Sequence, residues 1–224
     1  MNAPRIALIH ATPLAMDPIA QAFQALAPEA QVFHLLDDSL SKDHAKAQTL
    51  TPLMMARFED LTQYALKTGS NAILFTCSAF GAAIEACAKG RTQPILKPNE
   101  AMFMEALDLA HQSKRLRVAL IATFEPSIAS MKEELLELAQ SRGIEVEFNG
   151  IFVPEAMKEL GEGNSQSHHQ RVAKAVAQAP ECDVIMLAQF SMAQAQTLSQ
   201  AQTQTPVLTS PNCAVNAIMK RLTA

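Results

Sequence analysis

Short runs of continuous apolar or β-branched residues alternate along this chain with longer stretches whose apolar residues fall three and four apart. The runs predict strands at about 5–9 (RIALI), 31–36 (QVFHLL), 71–76 (NAILFT), 94–96 (PIL), 117–122 (RVALIA), 144–151 (IEVEFNGI), 183–188 (DVIMLA) and 206–208 (PVL). Between them, Thr51 to Lys67 sets Leu53, Met54, Phe58, Leu61, Ala65 and Leu66 at helical spacing. A second helix is expected from Pro126, a first-turn proline, to Gln140, stopping before Gly143. Strands that are apolar throughout, alternating with helices, are the pattern of a parallel sheet covered on both faces, so the fold class is α/β.

The pattern is also repeated. RIALIHAT at Arg5 aligns without a gap on RVALIATF at Arg117, and PILKPNEAM at Pro94 on PVLTSPNCAV at Pro206, both at an offset of 112 residues, half of the 224 in the chain. Between these anchors ILFTCSAFG falls opposite IMLAQFSMA, with Leu74 on Leu187 at an offset of 113. Three anchors in the same order predict two pseudo-symmetric open α/β units. The expected division is 1–98 with 210–224 as the first domain and 99–209 as the second, the copies KPNEAM and SPNCAV marking the crossings. Ligands of open parallel sheets bind beyond the carboxyl ends of the strands. There the chain carries four loops: HATP after Ile9, TCSAFG after Phe75, TFEP after Ala122 and AQFSMA after Leu187. If the two units face each other, these loops line one cleft.

Composition removes several classes of function. With 49% hydrophobic residues the chain can bury a sizeable core, and a formal charge of −4 leaves no basic face for nucleic acid. The apolar run near the amino end, Ile6 to Ile9, is too short for a signal peptide, and no segment approaches the ~20 apolar residues of a membrane span. A cytoplasmic protein with no membrane partner is expected, and a homo-oligomer is left open. Cys77, Cys87, Cys182 and Cys213 lack the spacing of a zinc site, no glycine-rich phosphate loop is present, and nothing asks for a nucleotide or a metal. His168-His169 reads as a solvated helix start.

The residues with chemistry are those in the four loops. Cys77 stands where a buried strand turns into a helix, a place whose free N–H groups favour thiolate over thiol; its alternative is a small hydrophobe packed at a crowded strand end. His10 is the one group in these loops that titrates near neutrality, and otherwise caps a strand end through a ring nitrogen. Asp37-Asp38, in LLDDSLS, is expected to be a loop cap rather than a partner for a substrate ammonium.

FTCSAFG followed by the PIL strand, its counterpart LAQFSMA followed by PVLTSP, and the duplication itself make the chain resemble the aspartate/glutamate/hydantoin racemase superfamily over essentially its whole length. The resemblance implies a cofactor-independent enzyme of two α/β domains acting on a small carboxylate. It also implies that backbone N–H groups and hydroxyls hold the carboxylate, while one thiol from each domain works on opposite faces of the neighbouring carbon. The first thiol carries over onto Cys77, and Ser78 falls where a substrate-binding hydroxyl or amide is expected. The second does not carry over: the corresponding position is Gln189, Phe190 or Ser191.

A single thiol can still serve as base, acid or nucleophile. The expected activity is racemisation or isomerisation at the carbon beside a carboxylate, with Cys77 and a non-thiol group, His10 or Ser191, as catalytic residues. Thr12, Ser78, Thr123, Gln189 and Ser191 are the expected substrate-binding residues, since charge developing on the carboxylate must be met by donors. The alternatives are a decarboxylase or cis–trans isomerase of a small dicarboxylate using the one cysteine, and a non-catalytic small-carboxylate binding protein.

Overall fold

The alternation of apolar runs with helical spacing resolves, in a computed structural model describing residues 3–110 and 114–223, into two four-stranded parallel sheets. The first half runs β1 (Arg5–His10), α1 (Met16–Leu26), β2 (Gln31–Leu36), α2 (Ser39–Ala47), α3 (Pro52–Lys67), β3 (Ala72–Phe75), α4 (Gly81–Ala88), β4 (Ile95–Leu96) and α5 (Glu100–Asp108). The second runs β5 (Arg115–Ala122), α6 (Pro126–Ser141), β6 (Glu145–Phe152), α7 (Ala156–Gly161), α8 (Ser165–Ala177), β7 (Val184–Leu187), α9 (Gln196–Gln200), β8 (Val207–Thr209) and α10 (Ser210–Thr223). Contacts divide the chain into Met1–Ala101 with Ala214–Ala224, and Met102–Cys213.

Within each unit the sheet order is the same, β2-β1-β3-β4 and β6-β5-β7-β8. The two central strands are buried on both faces, which is why RIALIH, AILF and VIML read as continuous apolar runs. The edge strand β6 instead alternates exposed and half-buried positions along EVEFNGIF. One face of the first sheet presents Ala7, Ile9, Ile73 and Phe75 to a core completed by Leu40 of α2, Met54 and Phe58 of α3 and Ile84 of α4. In the second, Ala119, Ile121, Ile185 and Leu187 meet Val172 and Val176 of α8.

Local chemistry sets the element ends. Thr51 caps α3 by accepting from the Met54 N–H, with Pro52 behind it in the first turn. Gly69 and Gly143, at φ of +83° and +65°, let the chain reverse out of α3 and α6 toward the next strand. Gly150 has a different purpose: a Cβ there would lie 2.4 Å from Ile128 Cγ2, so its absence is what lets α6 lie close on β6.

Two sequence expectations are corrected. His168-His169 is not a solvated helix start: α8 begins at Ser165, and His168 faces inward, wholly buried, with no partner at either ring nitrogen. Its neighbours on that helix, Val172 and Val176, continue the same apolar stripe, so the imidazole occupies a core position. The repeat offset also changes. Ile9 pairs with Phe75 in the first sheet and Ile121 with Leu187 in the second, so Leu187 answers to Phe75 at an offset of 112, and the residue shift read between the two loops disappears.

Burial lowers the pKa of His168 to about 4, with His169 adding to the effect. The unfolded chain therefore takes up a proton first, near 6.5, and the fold loses about 1.4 kcal/mol per pH unit from this group as pH falls from 6.5 toward 4; above 6.5 the contribution is intact. His168→Leu is expected to raise unfolding free energy at pH 7 by about 1–2 kcal/mol, by removing two unpaired buried nitrogens, and to flatten this acid limb in urea titrations.

Candidate functional site

In both sheets the connections leave the first strand in opposite directions, β2 to one side and β3 to the other, and β6 and β7 likewise. This reversal opens a crevice at the carboxyl ends of the two central strands, the place where open α/β sheets bind ligands. All four chemically marked loops are therefore positioned by strand pairing: β1 and β5 each run one residue past their pairing with β3 and β7, to His10 and Ala122, and the other two segments follow Phe75 and Leu187.

In the first unit Cys77 has extended backbone (φ −122°, ψ 118°) and precedes a 3-10 turn, Ser78–Phe80, that runs into α4. Phe80 is buried against Phe58 and fixes the turn from beneath, while Ser78 lies exposed. The thiol is half-buried, whereas Cys87, Cys182 and Cys213 are buried. Burial pushes the thiol up from its ordinary value and outweighs the lowering influence of the Ala79 N–H and the Ser41 hydroxyl. The lowered pKa expected of a helix start is thus corrected: Cys77 precedes only a three-residue 3-10 turn, and desolvation of the charged form is the larger effect.

A small void beside the sulfur is lined by Ile9, His10, Ala11, Leu40, Phe58, Phe75 and Cys77 and has no room for a water. His10 closes it from β1. Its ring is wholly buried, with Nδ1 2.8 Å from the Thr76 hydroxyl and Nε2 2.9 Å from His34 Nδ1 on β2, and the two imidazoles stack at 5.1 Å. Burial and the His34 charge lower the pKa of His10 to about 4, so it is neutral at pH 7. An exposed acid or base is not what this geometry offers; both ring nitrogens already bind, and the side chain ties the end of β1 to the end of β3. Thr12 caps the 3-10 turn Pro13–Ala15 through its hydroxyl.

The corrected register settles the counterpart of Cys77. Gln189, at an offset of 112, has the same extended backbone (φ −103°, ψ 147°) ahead of the 3-10 turn Phe190–Ala195, in which Ser191 is half-buried. The Gln189 carbonyl accepts from the Thr123 N–H at 2.8 Å and the Thr123 hydroxyl at 3.1 Å, and its amide donates to Ser127 at 2.7 Å. Gln189 thus joins the end of β5 to the end of β7 and to α6, and Thr123 is buried beneath it.

Asp37 is a cap: one oxygen accepts from the Ser39 N–H and hydroxyl, the other from Arg57, whose guanidinium also holds Asp43 at 2.7 Å. Cys213 is buried, and its thiol is pushed far up by that burial and by Glu105, so it is a packed side chain in α10. Among the described residues no group of three or more His, Cys, Asp or Glu could hold a metal ion, and no helix is long and apolar enough to cross a membrane. Sequence reasoning missed Ser41, Thr76 and His34. Ser41 lies in the quoted LLDDSLS, and Thr76 adjoins Cys77, but only the fold brings Ser41 to the Ala11 carbonyl and Thr76 and His34 to His10.

Two duplicated units with sheet order 2-1-3-4, each with a 3-10 turn after its third strand, make a duplicated α/β architecture, and comparison names its family. The Asp/Glu/hydantoin racemase family matches residues 7–218, and the chain belongs to that family. Solved structures share the fold at low identity. An aspartate racemase homologue from Pyrococcus horikoshii OT3 is 13% identical with a TM-score of 0.73, covering 100% of both chains. Allantoin racemase from Klebsiella pneumoniae is 15% identical with a TM-score of 0.69, over 99% of this chain and 88% of that one. A glycine-to-cysteine mutant of arylmalonate decarboxylase in its sulfate-associated form is 14% identical with a TM-score of 0.65, over 99% and 94%. No curated protein matches the chain.

Two outcomes follow from the site geometry. Brief iodoacetamide treatment at pH 7 is expected to label Cys77 ahead of the three buried cysteines, yet more slowly than a free thiol, because burial pushes its thiol up from the ordinary value. Gln189→Leu leaves the Thr123 N–H unpaired and is expected to cost about 1–3 kcal/mol in urea unfolding.

Proposed function

We propose that the chain is a cofactor-independent racemase or isomerase that moves a proton at the carbon beside the carboxylate of a small acid, with Cys77 as the acid/base thiol. The observation that carries this reading is the position of Cys77: a half-buried thiol at the crevice of a sheet whose family is defined by such chemistry. The donors proposed for the substrate carboxylate are the turn N–H groups after Cys77 with Thr12 and Ser78, and in the second unit Ser191 and the second amide N–H of Gln189, with Thr123 backing Gln189 through the N–H and hydroxyl it gives to that side chain. Such donors meet the negative charge that develops on the carboxylate as its neighbouring carbon loses a proton. His10 serves from within, holding Thr76 and so the backbone that carries the thiol. Ser191 stands two residues past Gln189 and is the proposed non-thiol polar group of its turn.

A second reading is favoured by the partial burial of Cys77, which pushes its thiol up and so favours the protonated form. Decarboxylation of a dicarboxylate needs one proton donor. The C–C bond breaks as CO2 leaves, its electron pair stays on carbon, and the Sγ–H proton completes the new C–H bond, the thiolate then regaining a proton from solvent. Racemisation needs a base on the other face as well, and with Gln189 tied to Thr123 and Ser127 that base is not a second thiol.

The test is incubation with aspartate, glutamate, 5-substituted hydantoins, allantoin and arylmalonates in D2O, followed by NMR and CO2 release. Solvent deuterium at the α-carbon without CO2 supports racemisation, and CO2 with one deuterium in the product supports the second reading. Cys77→Ala and Cys77→Ser are expected to lower either activity by about 10²–10⁴-fold. An activity that survives both substitutions at full rate removes Cys77 from the mechanism.

A further inference from the structure

The short helix α2 buries one side chain, Leu40, and leaves Lys42, Asp43, Ala45, Lys46 and Ala47 exposed. Its inward residues nevertheless reach both site loops of the first unit. Ser41 Oγ donates to the Ala11 carbonyl at 2.7 Å, just after β1, and the His44 ring lies 5.0 Å from that of Phe80, in the turn after Cys77. Between them Leu40 shares with Cys77 the small void walled by Ile9, Phe58 and Phe75. So short a helix is marginal by itself, and a single buried side chain adds little to it. What fastens α2 is Arg57 of α3. The guanidinium donates to Asp37, ahead of α2, through Nε at 3.0 Å and again through Nη2, which also reaches Ser39 Oγ; Nη1 donates to Asp43, in the second turn, at 2.7 Å. One rigid fork thus joins the approach to α2 to its middle. At the far end Gln48 sits at φ +55°, a left-handed conformation that is costly for a residue with a side chain.

Resting on the reading of Cys77 as the acid/base, we propose that α2 is a strap that opens and closes over the Cys77 side of the crevice, and that Arg57 is the positioning residue that latches it. Closed, Leu40 fills the apolar space beside the thiol and keeps water out of it. Open, with Asp43 released and Leu40 withdrawn, that space is enlarged by the volume of the leucine and joins the solvent. A substrate then reaches the thiol from the side lined by Ile9, Phe58 and Phe75. The hinges are the two ends of α2: Asp37, whose N–H stays on the His10 carbonyl at 3.0 Å, and Gln48. A segment with few apolar contacts and a mostly exposed surface belongs to the low-stability end of a fold, from which closing elements are drawn.

The experiment needs no substrate. Hydrogen exchange read by mass spectrometry follows the backbone of α2, and iodoacetamide alkylation follows Cys77, with Cys87 as the internal reference because it is buried in the same core. In the wild type the amides of α2 are expected to exchange faster than those of β1, β3 and α3. Arg57→Leu is expected to speed both exchange in α2 and alkylation of Cys77 about tenfold. Exchange in β1 and β3 and alkylation of Cys87 are expected to stay at wild-type rates. An ion pair that only supported the fold would, on removal, destabilise the whole unit and expose both cysteines together. Asp43→Asn cuts one arm of the latch at a carboxylate whose side chain is 51% exposed, and is expected to give about a threefold effect. This variant carries the test if Arg57→Leu folds poorly. The proposal is overturned if α2 exchanges in step with α3, if the variants leave Cys77 alkylation at the wild-type rate, or if Cys77 and Cys87 accelerate together. Failure of the proton-transfer reading would appear elsewhere, as solvent deuterium entering the product undiminished in Cys77→Ala.

Discussion

The chemistry of this chain depends on the parallel pairing of β1 with β3, Ile9 opposite Phe75, and on its copy between β5 and β7. Parallel neighbours end together, so the residues that follow them are brought side by side although 66 positions separate His10 from Thr76. The backbone N–H of Thr76 continues the ladder to the Ile9 carbonyl, which leaves Cys77 as the first residue released from the sheet. A shift of one residue in that register would turn the thiol to the opposite face. The wholly buried flanking residues Ile9, Phe75 and Phe80 make such a shift expensive, because each would leave the core with it.

That account also explains what could be read before the fold was known. Strands buried on both faces announce themselves as unbroken apolar runs, so β1, β3, β5 and β7 and their order of appearance were legible, and with them Cys77 as a residue at a strand end. The two histidine readings show the limit. His168 has the helical spacing of Val172 and Val176, a signal for burial that its polar neighbours in SQSHHQ obscured. His10 was read either as a group that titrates near neutrality or as a strand-end cap through a ring nitrogen, and the structure has the cap, but its partners depend on β2 supplying His34 and β3 supplying Thr76. Such partners come from pairing across the sheet, which periodicity along the chain does not encode.

The same limit applied to the second half. By sequence alone the counterpart of Cys77 was one of three residues, since a shift between ILFTCSAFG and IMLAQFSMA could not be resolved by matching letters. Strand register resolves it, because a hydrogen-bonded ladder admits no fractional shift. Gln189 then has a local explanation: its side-chain oxygen accepts twice from Thr123 and its amide donates to Ser127, tying two strands and a helix where a thiol could tie nothing as strongly.

The two units have accordingly taken the same backbone position in different directions. In the first, Cys77, the second residue after β3, is left half-buried, and the task of joining the strand ends falls to His10 and Thr76 beneath it. In the second, the residue at the equivalent place performs that joining itself. A proton donor must be free to lose its partner, whereas a structural amide is useful only while it keeps all of its partners. One position cannot satisfy both demands, so specialisation of the halves follows from the hydrogen-bond inventory of thiol and amide. The chemistry proposed for the first unit therefore rests on Cys77, whose place in the turn carries no structural bond that a proton transfer would have to break.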